Sequence, residues 1–266
     1  MALAEGGGFL LRIEDIDQSR ARPEWEELIY EDLRWLGLHW PEPVLHQSDR
    51  LPAYATVLKH LWREGWLYAC SCNRRDILEA ASAPQEGAPP TGPDGVIYPG
   101  TCRGTGAKER QSEMPRDKAL RLDMAKALSH IAHLGGDEPI WFLETGAGPD
   151  GETGRIELTA EEIETRIGDI VLARRDMGTS YHLSVVLDDA AQEITHVVRG
   201  QDLFEATKIH VVLQRLLGLP TPVYHHHRLV RDAHGKRLAK RDDARAIRTF
   251  RDEGATPGDI RRMVGL

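Results

Sequence analysis

Residues 82–106 read SAPQEGAPPTGPDGVIYPGTCRGTG, and this stretch constrains the fold more than any other. Gly and Pro interrupt every possible helix or strand period, so the segment is irregular and loop-rich. It is also too poor in apolar residues to order itself by burial and needs a staple. On either side the pattern changes. Pro23 to Gly37 reads as a helix, with Trp25, Leu28, Ile29, Leu33 and Leu36 at helical spacing and Gly37 as its stop. A second helix spans about Pro52 to Gly65. After the irregular middle come strand-like runs at LRLDM (120–124), IWFLET (140–145), GDIVLARR (168–175), SYHLSVVLDDA (180–190) and ITHVVRG (194–200). A helix follows over Glu205–Leu217, closed by Gly218 and Pro220, then two short helical stretches near Asp242–Arg251 and Pro257–Met263. Strands and helices alternating around an irregular middle predict an α/β fold, a doubly wound parallel sheet interrupted by an insertion.

The front of the chain poses a question. FLLRIEDID (9–17) predicts a buried strand at Phe9–Ile13 with Glu14, Asp15 and Asp17 at its carboxyl end, where open α/β sheets bind ligands. Only eight residues precede it. With 41% hydrophobic and 29% charged residues the chain is of ordinary globular composition. No apolar run reaches the length of a membrane span, and MALAEGGG lacks the regions of a signal peptide, so a cytoplasmic protein is expected. The net charge of -8 argues against nucleic acid, but its distribution does not. Arg228–Leu266 carries 11 Lys+Arg against 6 Asp+Glu, while the remainder carries 23 against 36. A basic end on an acidic body suits a phosphate-binding surface, or equally a pair of solvated helices.

Three cysteines make no disulfide framework. Cys70 and Cys72 form C-x-C, and Cys102 follows 30 residues later with Tyr98 four residues before it. Three thiolates and a phenolate would close a tetrahedral zinc site; the alternative is three unliganded cysteines in a reducing compartment. Lys236, Arg237, Lys240 and Arg241 cluster in HGKRLAKRDD, where cations could neutralise a polyphosphate or simply face solvent. Arg199 ends an apolar strand and is placed to grip a carboxylate bidentately, with Tyr181 as a candidate hydroxyl donor to the same ligand. His225, His226 and His227 are consecutive on a strand and point to alternate faces, which makes them poor metal ligands. Asp188 and Asp189 suit a strand-end turn.

Taken together, FLLRIEDID, GDIVL, SYHLSVVLDDAAQEITHVVRGQDL, LQRLLGLPTPVYHHH and GKRLAKR resemble, in order, the catalytic domain of the class I glutamyl-tRNA synthetases. The resemblance covers nearly the whole chain. It is nearest to the truncated paralogue branch, the glutamyl-Q tRNA(Asp) synthetases, because C-x-C…Y-x-x-x-C resembles that branch's zinc pattern and the chain stops 26 residues after Lys240. The resemblance implies a ligase that activates L-glutamate with ATP and Mg2+ and transfers it to the queuosine base at the wobble position of tRNA(Asp). It implies that Glu14 holds the substrate ammonium, that Tyr181 assists, and that Arg199 pairs with a substrate carboxylate. Cys70, Cys72, Tyr98 and Cys102 would hold one structural Zn2+. The family's KMSKS loop falls on Arg237, Leu238, Ala239, Lys240 and Arg241, with Lys240 on the ATP phosphates. Arg for the first Lys and Ala239 for Ser depart from the pattern and predict tuned activity.

A larger departure lies at the front. The family's first strand, its substrate-contacting Arg and the HIGH motif that opens the next helix are missing from these residues. The strand at Phe9–Ile13 is therefore expected to lack the neighbour that the family's first strand would supply, and residues 1–266 alone to be inactive and less stable than an extended form; a start assigned at an internal Met would explain it. The expected organisation is an incomplete first half of the nucleotide-binding fold (1–69), a zinc-bearing insertion (70–165), the second half (166–227), and a KMSKS-like loop with a short helical end (228–266). The protein is expected to be monomeric and not membrane-bound. Two alternatives stand beside this reading: a fragment of a conventional glutamyl-tRNA synthetase, and a non-catalytic tRNA- or zinc-binding remnant.

Overall fold

The computed structural model describes residues 1–82, 89–104, 113–135, 138–231 and 246–266. In chain order the strands are β1 (Arg12–Ile13), β2 (Leu45–His46), β3 (Leu67–Cys70), β4 (Thr91–Gly92), β5 (Gly95–Val96), β6 (Ala119–Leu122), β7 (Ile140–Glu144), β8 (Gly154–Leu158), β9 (Val171–Ala173), β10 (His196–Gly200) and β11 (Val223–His227). The helices are α1 (Pro23–Trp35), α2 (Leu51–Arg63), α3 (Arg74–Ser82), α4 (Met124–Gly135), α5 (Ala160–Arg166), α6 (Tyr181–Ala191), α7 (Phe204–Leu217), α8 (Ile247–Asp252) and α9 (Pro257–Val264). They fall into two compact units, one of Met1–Arg50 with Leu229–Leu266, the other of Leu51–Arg228. Among the described residues no helix is long and apolar enough to cross a membrane.

In the smaller unit β1 and β2 pair in parallel, Arg12 opposite Leu45 and Ile13 opposite His46. The strand expected over Phe9–Ile13 is shorter, because only these two residues have a ladder partner. Pro23 opens α1 at its first position, where a missing N–H costs nothing. Gly37 follows it with φ 80°, a conformation that favours glycine. Glu26 ties α1 to β2 by accepting from Tyr30 Oη at 2.5 Å and meeting His46 Nε2 at 2.8 Å. That carboxylate lifts the His46 pKa above its usual value, and its own pKa falls. Arg251 of α8 pairs with Glu31 of α1 at 2.9 Å, and α9 is closed at its start by a capping box of Thr256 and Asp259.

The larger unit holds the main core. β10, β11 and β7 run in parallel, and β8 is antiparallel beside β7. β3, β6 and β9 make a separate antiparallel sheet. Phe142, Phe204 and Tyr224 meet edge to face, with centroids 5.8 and 5.5 Å apart. α7 is buried nearly all round, from Ala206 through Gln214, and ends at Gly218 in the left-handed region.

Residues 180–190 are not a strand. They form α6, capped by the Ser180 side chain accepting from Leu183 N. His182 through Val186 and Asp188 and Asp189 are all buried, so the helix lacks the exposed polar face that would reveal its periodicity. Asp188 and Asp189 therefore sit inside a helix, not at a strand-end turn; Asp188 accepts from Tyr54 Oη at 2.7 Å. The strand pattern at LRLDM ends at Leu122, and Met124 starts α4, which buries Met124, Ala127, Leu128 and Ile131.

Candidate functional site

The three cysteines come together. β3 delivers Cys70 at its end, Cys72 follows on the turn into α3, and Tyr98 and Cys102 are supplied by the loop after β5. The three sulfur atoms lie within 4.8 Å of one another. Tyr98 Oη is 3.5 Å from both Cys70 Sγ and Cys72 Sγ, and Cys72 Sγ is 3.5 Å from Cys102 Sγ. A tetrahedron with metal–sulfur bonds of about 2.3 Å and a metal–oxygen bond of about 2.0 Å has S···O edges of about 3.5 Å and S···S edges of about 3.8 Å. The two S···O edges of 3.5 Å match that figure, and the Cys72–Cys102 edge of 3.5 Å comes within a few tenths of an ångström of it. Burial pushes the Cys72 thiol up to about 11. Burial also acts on Cys102, but hydrogen bonds from Tyr98 and the Ser71 backbone outweigh it and bring this thiol down to about 7. Burial and the thiols around it raise Tyr98. Such a cluster holds its protons unequally and can exchange them for a soft cation.

Asp169, just before β9, anchors this lobe. Its buried carboxylate accepts from Tyr68 Oη at 2.5 Å, Arg103 Nε at 2.8 Å and Met124 N at 2.9 Å. Arg103 is the neighbour of Cys102, and Arg121, which donates to Asp169 O, lies over the Tyr98 ring at 4.0 Å. One carboxylate thus joins the cysteine loop, β3 and the start of α4.

The second feature is Arg199 on β10. Its guanidinium is buried and donates from Nε to His226 Nε2 at 3.2 Å, from one terminal nitrogen to His210 Nδ1 at 3.1 Å, and from the other to Thr207 Oγ1. It also lies 5.1 Å from the Tyr224 ring centroid. None of these partners is a carboxylate. Burial, with Arg199 beside it, holds His210 well below its usual pKa, so this imidazole is neutral. Burial likewise lowers His226, against the pull of Glu144. Of the five N–H groups of the guanidinium, three are used on neutral acceptors. A buried positive charge with donors to spare can take a carboxylate.

Tyr181 begins α6, and its ring packs 5.6 Å from that of His210, the imidazole that Arg199 contacts. Tyr181 and Arg199 are thus joined through one side chain. Glu14 follows β1 in the smaller unit, 43% exposed, with Arg12 at 3.4 Å. Arg237, Leu238, Ala239, Lys240 and Arg241 lie outside the described residues, as does Lys236. The His225–His227 run alternates as a strand must, with His226 buried and His227 exposed.

The family described as tRNA synthetases class I (E and Q), catalytic domain, matches residues 1–130 and 145–266. The chain belongs to this family. Within it, a glutamyl-Q tRNA(Asp) synthetase of Rhodobacter capsulatus is 59% identical over 266 residues, which is 100% of this chain and 91% of the relative. Another of that name, from Symbiobacterium thermophilum, is 39% identical over 263 residues, 96% of this chain and 74% of the relative. Among solved structures, a glutamate tRNA ligase from Elizabethkingia meningosepticum, in complex with its amino acid, aligns with TM-score 0.67 at 22% identity over 98% of this chain. A glutamate-tRNA synthetase from Elizabethkingia anophelis gives 0.69, also at 22%. The chain spans 54% and 55% of those two structures, and the likeness is one of fold. The class I α/β catalytic fold is therefore established, and with it a ligase family.

What the sequence pattern of this class I synthetase chain did not reveal is the set of groups around Arg199. Glu144, His182, Thr207, His210 and His226 carry no motif. Only His226 had a signal: it occupies the buried phase of an alternating strand. Asp169 stands in GDIVL, but nothing local marks it as a hub.

Proposed function

We propose that the protein activates L-glutamate with ATP and transfers it to the queuosine base at the wobble position of tRNA(Asp). The observation that carries this reading is the 59% identity over the full chain to a relative of that name. The geometry agrees with its amino-acid half: Arg199 is a buried cation with neutral partners, as recognition of a carboxylate substrate requires.

In the reaction the glutamate α-carboxylate attacks the α-phosphorus of ATP, the bond to the β-phosphate breaks, and pyrophosphate leaves. A hydroxyl of the modified base then attacks the acyl carbon and AMP departs. No protein nucleophile is needed, because positioning and charge neutralisation carry the rate. Arg199 pairs with a glutamate carboxylate, Tyr181 assists beside it, Glu14 holds the ammonium, and Lys240 in the Arg237–Arg241 loop neutralises phosphate charge. Mg2+ accompanies the ATP. Cys70, Cys72, Cys102 and Tyr98 hold one zinc ion, which supplies a structural tie for the lobe spanning 70–165. The protein works as a cytoplasmic monomer.

Pyrophosphate exchange tests the first half on the whole gene product. Exchange that depends on glutamate, needs no tRNA and is weaker with aspartate supports the reading. Exchange indifferent to glutamate would refute it.

A further inference from the structure

Arg199 is held by a chain of hydrogen bonds whose polarity is fixed at both ends. A guanidinium can only donate and a carboxylate can only accept. Arg199 Nε donates to His226 Nε2, so that nitrogen must carry the lone pair. The His226 proton then sits on Nδ1, which faces Glu144 Oε2 at 2.5 Å. Both side chains are fully buried. The other oxygen of Glu144 accepts from His226 N at 2.9 Å and Gly146 N at 2.7 Å. Gly146 permits that approach, because a Cβ there would lie 2.2 Å from His226 O. Glu144 itself lies in 131–144, the stretch that the family match leaves out.

We propose that Glu144 is a positioning residue for substrate binding: by fixing the Nδ1–H form of His226, it holds Arg199 oriented and free of a direct carboxylate partner. This rests on the reading of Arg199 as the group that receives the glutamate carboxylate. A carboxylate placed directly on the guanidinium would neutralise it and compete with substrate. Moved one imidazole away, it orients the arginine while leaving the charge for the ligand. His210 repeats the device on the other side. It accepts from Arg199 at Nδ1 and passes its Nε2 proton to His182 Nδ1 at 3.1 Å, whose Nε2 lies 3.6 Å from the half-exposed Asp94.

Glu144→Gln separates this role from simple packing. The amide oxygen can still accept from the two backbone N–H groups, but its nitrogen can only donate to His226 Nδ1. The imidazole must then carry its proton on Nε2, against the Arg199 Nε donor. Replacing an orienting carboxylate by its amide has this effect elsewhere through the wrong tautomer. The variant should raise the KM for glutamate in pyrophosphate exchange by about tenfold or more, with the KM for ATP within about threefold and the melting temperature within about 3 °C. In a His226→Gln background, whose amide oxygen accepts from Arg199 in any case, Glu144→Gln should add less than about threefold. Nitrogen-15 imidazole spectra read the tautomer directly and do not depend on activity. His226 should be Nδ1–H in the wild type and Nε2–H in Glu144→Gln. A wild-type His226 that is Nε2–H or doubly protonated at neutral pH overturns the inference, whether or not the protein activates glutamate. Equal effects on glutamate and ATP, or full additivity with His226→Gln, overturn it too. Absence of glutamate-dependent exchange in the wild type refutes the activity reading instead, and the tautomer then decides the inference alone.

Discussion

In the proposed reaction, Arg199 is the residue on which glutamate binding turns. Removing it leaves His226, His210 and Thr207 facing a cavity and takes away the charge that a substrate carboxylate needs. Losing a buried carboxylate partner costs several kcal/mol, so Arg199→Ala should lower glutamate-dependent pyrophosphate exchange by about a hundredfold or more. Circular dichroism should show the fold retained; exchange within threefold of the parent contradicts the assignment. Arg199→Lys should also fail, because one ammonium cannot reach three acceptors in the arrangement of a planar fork. Asp169 is the corresponding residue for the cysteine lobe. Asp169→Ala strips three donors, Tyr68, Arg103 and Met124 N, of a buried acceptor. Chemical denaturation should show about 3 kcal/mol less stability, and a loss under about 1 kcal/mol would mean that these groups find other partners.

At the scale of elements, the lobe formed by β3, α3 and the β4–β5 hairpin has its own small cluster of Tyr68, Cys70 and Tyr98, separate from the main core. Such a cluster is too small to order the lobe unaided, so the metal should do so. Elemental analysis after dialysis against a weak chelator should find about one zinc per chain, and less than about a tenth of an equivalent with reduced thiols contradicts the site. Stripping the metal should expose this lobe to protease before the main core. The clustering of Cys70, Cys72 and Cys102 was legible in the sequence because C-x-C with Y-x-x-x-C is a spacing pattern that survives any uncertainty about secondary structure. Helices α1, α2 and α7 were legible for a related reason: apolar residues recur at helical spacing and a glycine marks each end. α6 was not. Buried on every side, it presents Tyr, Leu, Val and Val in an order that also satisfies a strand, and only the Ser180 cap distinguishes it. The groups around Arg199 were illegible because they come from β7, β11, α6 and α7, whose juxtaposition no local pattern encodes.

At the scale of the whole molecule, the buried imidazoles set an acid limit. His210 and His226 have folded pKa values depressed below the unfolded value of about 6.5. The unfolded chain therefore binds protons that the folded one refuses as pH falls below that value. The stability these two imidazoles contribute is full above about pH 6.5 and declines below it, by at most about 1.4 kcal/mol per pH unit for each until its folded pKa is reached, while His46, raised by Glu26, acts in the opposite direction. Urea midpoints between pH 7 and 5 should show this decline, and His210→Gln should flatten it by about one histidine's share. A His210→Gln profile that falls as steeply as the wild type would mean that His210 is charged in the folded state, which the Arg199 donor forbids.

The destination of the glutamate decides the proposed function. The direct measurement is transfer of radiolabelled glutamate by the whole gene product to three RNAs: queuosine-containing tRNA(Asp), the same tRNA lacking its 3′-terminal adenosine, and tRNA(Asp) with unmodified guanosine at the wobble position. Label on the first two and none on the third is the predicted result. Label that requires the terminal adenosine, or that ignores the modified base, would contradict it and place the protein with the synthetases that charge the 3′ end.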